Sequence, residues 1–187
     1  MNSYRVYSSV ALVACATSLV MTLSACNSDT ATAAGACPTA TPQNGGTPDW
    51  TLSGTTGSVA VTGSTDTTAP QVNVATPFSV TDTQVHTLHA GDGPVIADTA
   101  TVSVCYMGVN GRDAAVFDNS YQRGASVEFA LNRVVPGFQK AIAGQNVGST
   151  VAVAMTSADG YPDGQPSAGI QPGDTLIFAI KILGASS

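Results

Sequence analysis

Positive charge is scarce in this chain. Six Lys and Arg stand against 12 Asp and Glu in 187 residues, a formal net charge of −6, and only 10% of residues are charged. A nucleic-acid partner needs clustered cations to neutralise phosphate, and no such cluster occurs. Aromatic residues are few as well, with one Trp, five Tyr and five Phe. No G-x-S-x-G, no phosphate-binding glycine loop and no paired His/Cys arrangement is present, so nucleophilic and nucleotide chemistry find no motif to rest on. The two histidines, His86 and His89, fall on opposite faces of an expected strand with no Cys/His/Asp cluster to join them. A surface pair explains them better than a metal site, and no cofactor is expected.

What is there begins with a targeting segment, expected over residues 1–25. Arg5 is a thin basic region, Val6 to Leu23 is largely apolar and free of formal charge, and Leu23-Ser24-Ala25-Cys26 follows. Small residues before a cysteine resemble a bacterial lipobox, in which Cys26 takes a diacylglyceryl group and becomes the new N-terminus. Two acyl chains at about 0.8 kcal/mol per buried CH₂ make a stable anchor. The alternatives are an ordinary signal peptide or a retained anchor helix. The lipobox reading puts the chain on the extracytoplasmic face of the cell membrane, held by Cys26. Residues 26–56 are rich in Thr, Ala, Gly and Pro and poor in large apolar side chains, which predicts a flexible tether spanning roughly 30 Å. Trp50, in this stretch, is expected to pack locally on the domain; a ligand contact is the alternative.

The domain is expected over 57–187. Ser58-Val59-Ala60-Val61, Val72-Asn73-Val74 and Val85-His86-Thr87-Leu88-His89 read as extra N-terminal strands within 57–90, leading into the main sheet. Thr101 to Gly108 is a strong strand with Val102, Val104 and Tyr106 on one face and Cys105 and Met107 on the other. Asn110-Gly111 is a turn signal, and Phe117-Asp118 and Ser126 to Phe129 form the return. Val134 to Gly144 reads as one short helix. Pro136 suits its first turn, Phe138 and Ile142 share a face, and Gly144 ends it. Val151, Val153 and Met155 alternate along the next strand. A Gly/Pro/Asp-rich loop over 156–174 is long enough to be either functional or a stretch whose own elements the pattern misses. Thr175 to Leu183 closes the domain, with Leu176, Phe178, Ile180 and Ile182 on one face. The fold class is α+β, an antiparallel sheet wrapped around one short helix that must bury its apolar face.

From about residue 91 to 183 the order and spacing of these pieces resemble the FKBP-type peptidyl-prolyl cis–trans isomerases. The pieces are Val104-Cys105-Tyr106-Met107-Gly108, Phe117-Asp118-Asn119-Ser120, Arg123, Phe129, Val134-Val135-Pro136-Gly137-Phe138, Gly148, Tyr161, and the Ile170 to Phe178 ending. The resemblance implies an apolar pocket lined by Tyr106, Phe117, Phe129, Val134, Val135, Phe138, Tyr161 and Phe178, with Ile170 at its rim. It implies a carboxylate at the mouth, Asp118, near the Tyr106 hydroxyl and held by Arg123. Tyr106, Asp118, Phe138 and Tyr161 would carry catalysis; Phe117, Phe129, Val134, Val135, Ile170 and Phe178 would hold substrate. The Ile170 N–H and the Tyr161 hydroxyl would take substrate carbonyls. Three positions depart from the family pattern: Phe138 replaces the usual Trp at the floor, Pro162 follows Tyr161, and Gln171 stands where a proline is usual. Without the family spacing, Phe129, Phe138 and Phe178 would suit any small α+β core.

The implied function is isomerisation of X–Pro bonds in exported proteins, as a folding helper and a monomer, with macrolides as possible ligands. A non-catalytic module binding proline segments, or a structural envelope lipoprotein, are the alternatives. Tyr121 has no assigned role and is expected at the surface. Of the four cysteines, Cys15 leaves with the targeting segment and Cys26 is lipidated. Cys37 and Cys105 form either a disulfide, favoured by an oxidising compartment, or two free thiols.

Overall fold

Alternating apolar residues build two antiparallel sheets. The structure is a computed structural model and describes residues 35–42 and 46–186. The targeting segment, Cys15, Cys26 and the first part of the tether lie outside the described residues. The first three strands, β1 (Trp50–Ser53), β2 (Thr56–Thr62) and β3 (Gln71–Ser79), pair in sequence order as a sheet of their own. Of the N-terminal strands expected to lead into the main sheet, only the one over 84–89 joins it. The inward residues of β2 and β3, Val59, Val61 and Phe78, pack instead against its back.

The main sheet contains β4 (Gln84–His89), β5 (Thr101–Asn110), β6 (Val116–Asn119), β7 (Val127–Ala130), β8 (Thr150–Met155) and β9 (Leu176–Ser186). Its order is β4-β8-β9-β5, and the free side of β5 is shared by β6 near one end and β7 near the other. All pairs are antiparallel. Strand alternation divides the core cleanly. Val102, Val104, Tyr106, Val151, Val153, Leu176, Phe178, Ile180 and Ile182 form the front cluster, while Ala152, Ala154, Ile177 and Ala179 face the small sheet behind.

Helix α2 (Pro136–Ile142) packs on the front. Pro136 occupies its first turn, where a missing N–H leaves no intrahelical bond unmade, and Phe138, Ala141 and Ile142 are buried. The Ala143 N–H closes the last turn on the Gln139 carbonyl, and Gly144 follows at φ 80°. Gly137 sets the helix's distance from the sheet, because a Cβ there would lie 2.8 Å from Met155.

A second helical turn, α1 (Ser120–Arg123), was not expected. The Asn119 side chain accepts the N–H groups of Tyr121 and Gln122, and Gly124 ends the turn in the left-handed region. This turn buries Tyr121, which is 1% exposed and not a surface residue. Its hydroxyl donates to Ser64 Oγ at 2.8 Å.

The described part of the expected tether is ordered. Cys37 and Cys105 are joined by a disulfide. The Cys37 N–H donates to the Gly124 carbonyl at 3.2 Å, and the Ser126 N–H to the Gly35 carbonyl at 2.6 Å. Residues 50–53 are already strand, so the domain begins before residue 57. Composition misleads here because these residues need no core of their own. They add to sheet edges that other residues have built.

Trp50 stacks on His86, with ring centroids 5.6 Å apart and planes 6° from parallel. A register shift between Thr87 and His89 defeats simple alternation. Both histidines therefore reach the β1 side, where His89 Nε2 lies 3.7 Å from Asp49. Among the described residues no group of three or more His, Cys, Asp or Glu converges as a metal site. The long 156–174 loop is also structured. It contains 3-10 turns at Ser157–Asp159 and Pro166–Ala168. Asp174 anchors its far end by accepting from Asn110 Nδ2 at 2.6 Å, the Gln171 N–H at 2.8 Å and Arg112.

Candidate active site

Six separate segments meet at the front of the sheet around a cavity of about 490 Å³. Tyr106 comes from β5, Phe117 and Asp118 from β6, Phe129 from β7, and Phe178 from β9. Val134 and Val135 lead into α2, which supplies Phe138, and the long loop brings Tyr161 and Ile170. All ten of these residues line the cavity, although they span 73 positions from Tyr106 to Phe178 only because β9 returns beside β5. Arg133, Gln165 and Ala168 line it too and were not expected. The adjacency of Arg133 to Val134 is a signal the sequence carries. Gln165 and Ala168 reach the wall only because the loop folds into a 3-10 turn there.

Phe138 is the floor. Its ring meets Phe178 at 5.4 Å and 80°, Phe129 at 5.5 Å and 72°, and Tyr106 at 6.0 Å and 84°. Edge-to-face contacts of this kind place the positive rim of one ring on the negative face of another and fix each ring against rotation. Phe117 meets Phe178 edge-on at 5.4 Å. Gly108 makes room for that pair, since a Cβ there would lie 2.6 Å from Phe117 and 2.9 Å from Phe178. The floor is therefore apolar and interlocked, and among the described residues no side chain fills the space above it.

One polar cluster sits at the wall. The Tyr106 hydroxyl donates to Asp118 Oδ2, and Arg123 Nη1 donates to Asp118 Oδ1 at 2.6 Å. Arg123 Nη2 also donates to the Tyr106 hydroxyl at 3.4 Å, and the guanidinium lies 6.0 Å from the centre of the tyrosine ring. Burial, reinforced by the neighbouring carboxylate, pushes the Tyr106 phenol up to about 12. Burial alone would raise Asp118, but hydrogen bonds from Tyr106 and Arg123 outweigh it and hold the carboxyl below its usual range. At neutral pH the cluster is a protonated phenol, a carboxylate and a guanidinium. Asp118 is fully engaged and oriented, which suits a group that positions a substrate and not a general base.

The backbone donors differ from expectation. The Ile170 N–H donates to the Gln165 carbonyl at 3.1 Å, closing a two-residue bridge with the Gln165 N–H, so it is not free for a substrate. Among the described residues, the N–H of Val135 and the hydroxyl of Tyr161 have no hydrogen-bond partner, and both residues line the cavity.

A sheet carrying one helix on its front, with an aromatic cup where they meet, defines a small α+β binding domain. The family model of the FKBP-type peptidyl-prolyl cis-trans isomerases matches residues 93–183. The chain is 32% identical over 117 residues to the FK506-binding protein of Streptomyces anulatus, an alignment covering 61% of this chain and 94% of that protein. It is 36% identical over 96 residues to a probable FKBP-type peptidyl-prolyl cis-trans isomerase of Haemophilus influenzae, covering 50% of this chain and 39% of that one. Among solved structures, FkpA from Escherichia coli superposes with a TM-score of 0.51 at 30% identity, over 56% of this chain and 48% of that one. The chain belongs to the FKBP-type peptidyl-prolyl cis-trans isomerase family. It spans about two-fifths of the Haemophilus relative and nearly all of the Streptomyces one.

Proposed function

We propose that this protein is a peptidyl-prolyl cis–trans isomerase that assists the folding of exported polypeptides. The observation that carries this reading is the open cup itself, floored by Phe138 and walled by Tyr106, Phe129 and Phe178. An X–Pro bond turns slowly because resonance holds the amide planar, with a barrier of about 18–20 kcal/mol for peptide bonds in general. The twisted transition state has lost that resonance and separates less charge between oxygen and nitrogen. A dry aromatic cup disfavours the planar, more polar form relative to the twisted one. That is differential binding, and it needs no nucleophile. The proline ring would cover Phe138 and Phe178, while the Val135 N–H and the Tyr161 hydroxyl would take substrate carbonyls. This assigns to Val135 the backbone role first given to Ile170, which keeps only its rim side chain. The Tyr106–Asp118–Arg123 cluster would fix the wall against which the amide turns. A macrolide ring would compete for the same apolar floor.

The Leu23-Ser24-Ala25-Cys26 sequence supports a lipid anchor at Cys26 on the extracytoplasmic face, and the Cys37–Cys105 disulfide is consistent with an oxidising compartment. Among the described residues no helix is long and apolar enough to cross a membrane. The chain is expected to act as a monomer.

A second reading has its own observation. The engaged Ile170 N–H and Pro162 in the loop suit a module that holds a proline segment without turning it. One experiment separates the two: a proline-limited peptide or refolding assay with the full chain, run beside binding of the same peptide. Acceleration at micromolar protein, abolished by a macrolide, supports the isomerase. Binding with an unchanged rate supports the module, and neither binding nor acceleration leaves a structural lipoprotein.

A further inference from the structure

Among the described residues two cations of this domain, Arg133 and Lys181, have no carboxylate partner, and of the two only Arg133 lines the cavity. The chain has twice as many carboxylates as cations, 12 against 6. Arg112, Arg123 and Lys140 are each held by a carboxylate. Arg133 ends the 3-10 turn that leads into Val134, is exposed, lines the cavity, and makes no ion pair or hydrogen bond among the described residues. Among the described residues the only other charged side chain in the cavity wall is Asp118, whose charge is cancelled by Arg123. One uncompensated positive charge therefore remains at the lip of an apolar cup, in a protein that is negative overall.

We infer that Arg133 is a specificity-determining residue that selects polypeptides with an acidic side chain flanking the proline. This rests on the reading that the cup receives a prolyl segment. A segment seated on Phe138 must leave past the lip, where its neighbouring side chains come within reach of the guanidinium. There the low-dielectric wall screens the pair less than open water does. A flexible guanidinium also gives planar, two-pronged donors matched to a carboxylate. Far from the lip the net negative charge of the protein would repel an acidic partner, but that repulsion decays within a Debye length in ordinary salt. The preference is thus local and reads the residues beside the proline, not the charge of the whole client.

The test uses fluorescent peptides containing one proline, with Glu or Gln at each of the positions just before, two before and just after it. Binding is followed by anisotropy and turnover by isomerisation of the same peptides, with the full chain. At low salt the best-placed Glu peptide should bind about threefold more tightly than its Gln partner, the range of partly exposed ion pairs. That ratio should fall to about one in Arg133→Gln, invert in Arg133→Glu, return in Arg133→Lys, and shrink in high salt. A ratio near one at all three positions, or a preference that survives Arg133→Gln, overturns the inference. Turnover without a Glu preference sinks the inference and leaves the isomerase standing. A Glu preference in binding without turnover does the reverse, and failure of every peptide to bind sinks both.

Discussion

The two faces of the main sheet are buried in opposite ways. The back is lined by Ala152, Ala154, Ala179 and Ile177, small or compact side chains that let a second sheet lie close with Val59, Val61 and Phe78. The Cys37–Cys105 disulfide and the buried Tyr121 add to that side. The front carries Tyr106, Phe138 and Phe178, large rings that lock one another edge-to-face but leave the space above them open. The same strands supply both faces. β8 sends Val151 and Val153 forward and Ala152 and Ala154 back, so period-two alternation sends one set of side chains to the front that carries the cavity and the other to the closed back.

That contrast can be broken at the floor. Phe138→Ala should lower prolyl isomerisation about 100-fold, or about 2.7 kcal/mol of transition-state stabilisation. It should also cost about 3–5 kcal/mol of stability by urea unfolding, because the ring is shared between cup and core. An active variant would show that the cup is not where turnover occurs. At the back, Cys37→Ser removes a bridge between residues 68 apart in sequence. The chain-entropy model gives about 4 kcal/mol for so long a loop. Unfolding with and without reductant should show that loss, while the folded fraction keeps its isomerase rate within about threefold. An equal loss of rate and stability would mean that the two faces are not separable.

Smaller effects sharpen the comparison. Tyr121→Phe deletes one buried hydroxyl bond to Ser64 and should cost about 1 kcal/mol of stability with no change in peptide binding. The pH profile tests the polar cluster. Asp118 has a lowered native value, so its ion pair contributes above the unfolded value near 3.9 and is lost as pH falls through the native one. Tyr106, pushed up to about 12, keeps its proton through the neutral range. Activity should therefore be flat from about pH 5 to about pH 10 and fall only in acid. A bell centred near neutrality would instead indicate a titrating base. Cys26→Ser should abolish incorporation of labelled fatty acid and release the protein from the membrane fraction.

Much of the cavity lining was legible because the order and spacing of its residues resemble the FKBP family, and strand and helix periodicity placed them on one face. Tyr106, Asp118, Phe138 and Phe178 lie on strands and a helix whose periodicity fixes their faces. Where the chain leaves regular structure, legibility stopped. The bond from the Ile170 N–H to Gln165 depends on a loop turn, the shared side of His86 and His89 on one register shift, and the burial of Tyr121 on the α1 turn. Residues 50–53 looked too polar to fold because composition measures what a segment can bury alone, not what it gains by joining β2.

Sequence by itself determined the alternation of β5, β8 and β9, the start and stop of α2, and so which residues face the helix. Those follow from local geometry, since a strand repeats every two residues and a first-turn proline costs a helix nothing. Only the tertiary structure decided that the rings from six segments enclose a void and do not fill it, that the small sheet closes the back, and that Arg133 has no partner among the described residues at the lip. Each of these depends on distances between parts of the chain far apart in sequence, which no local preference encodes.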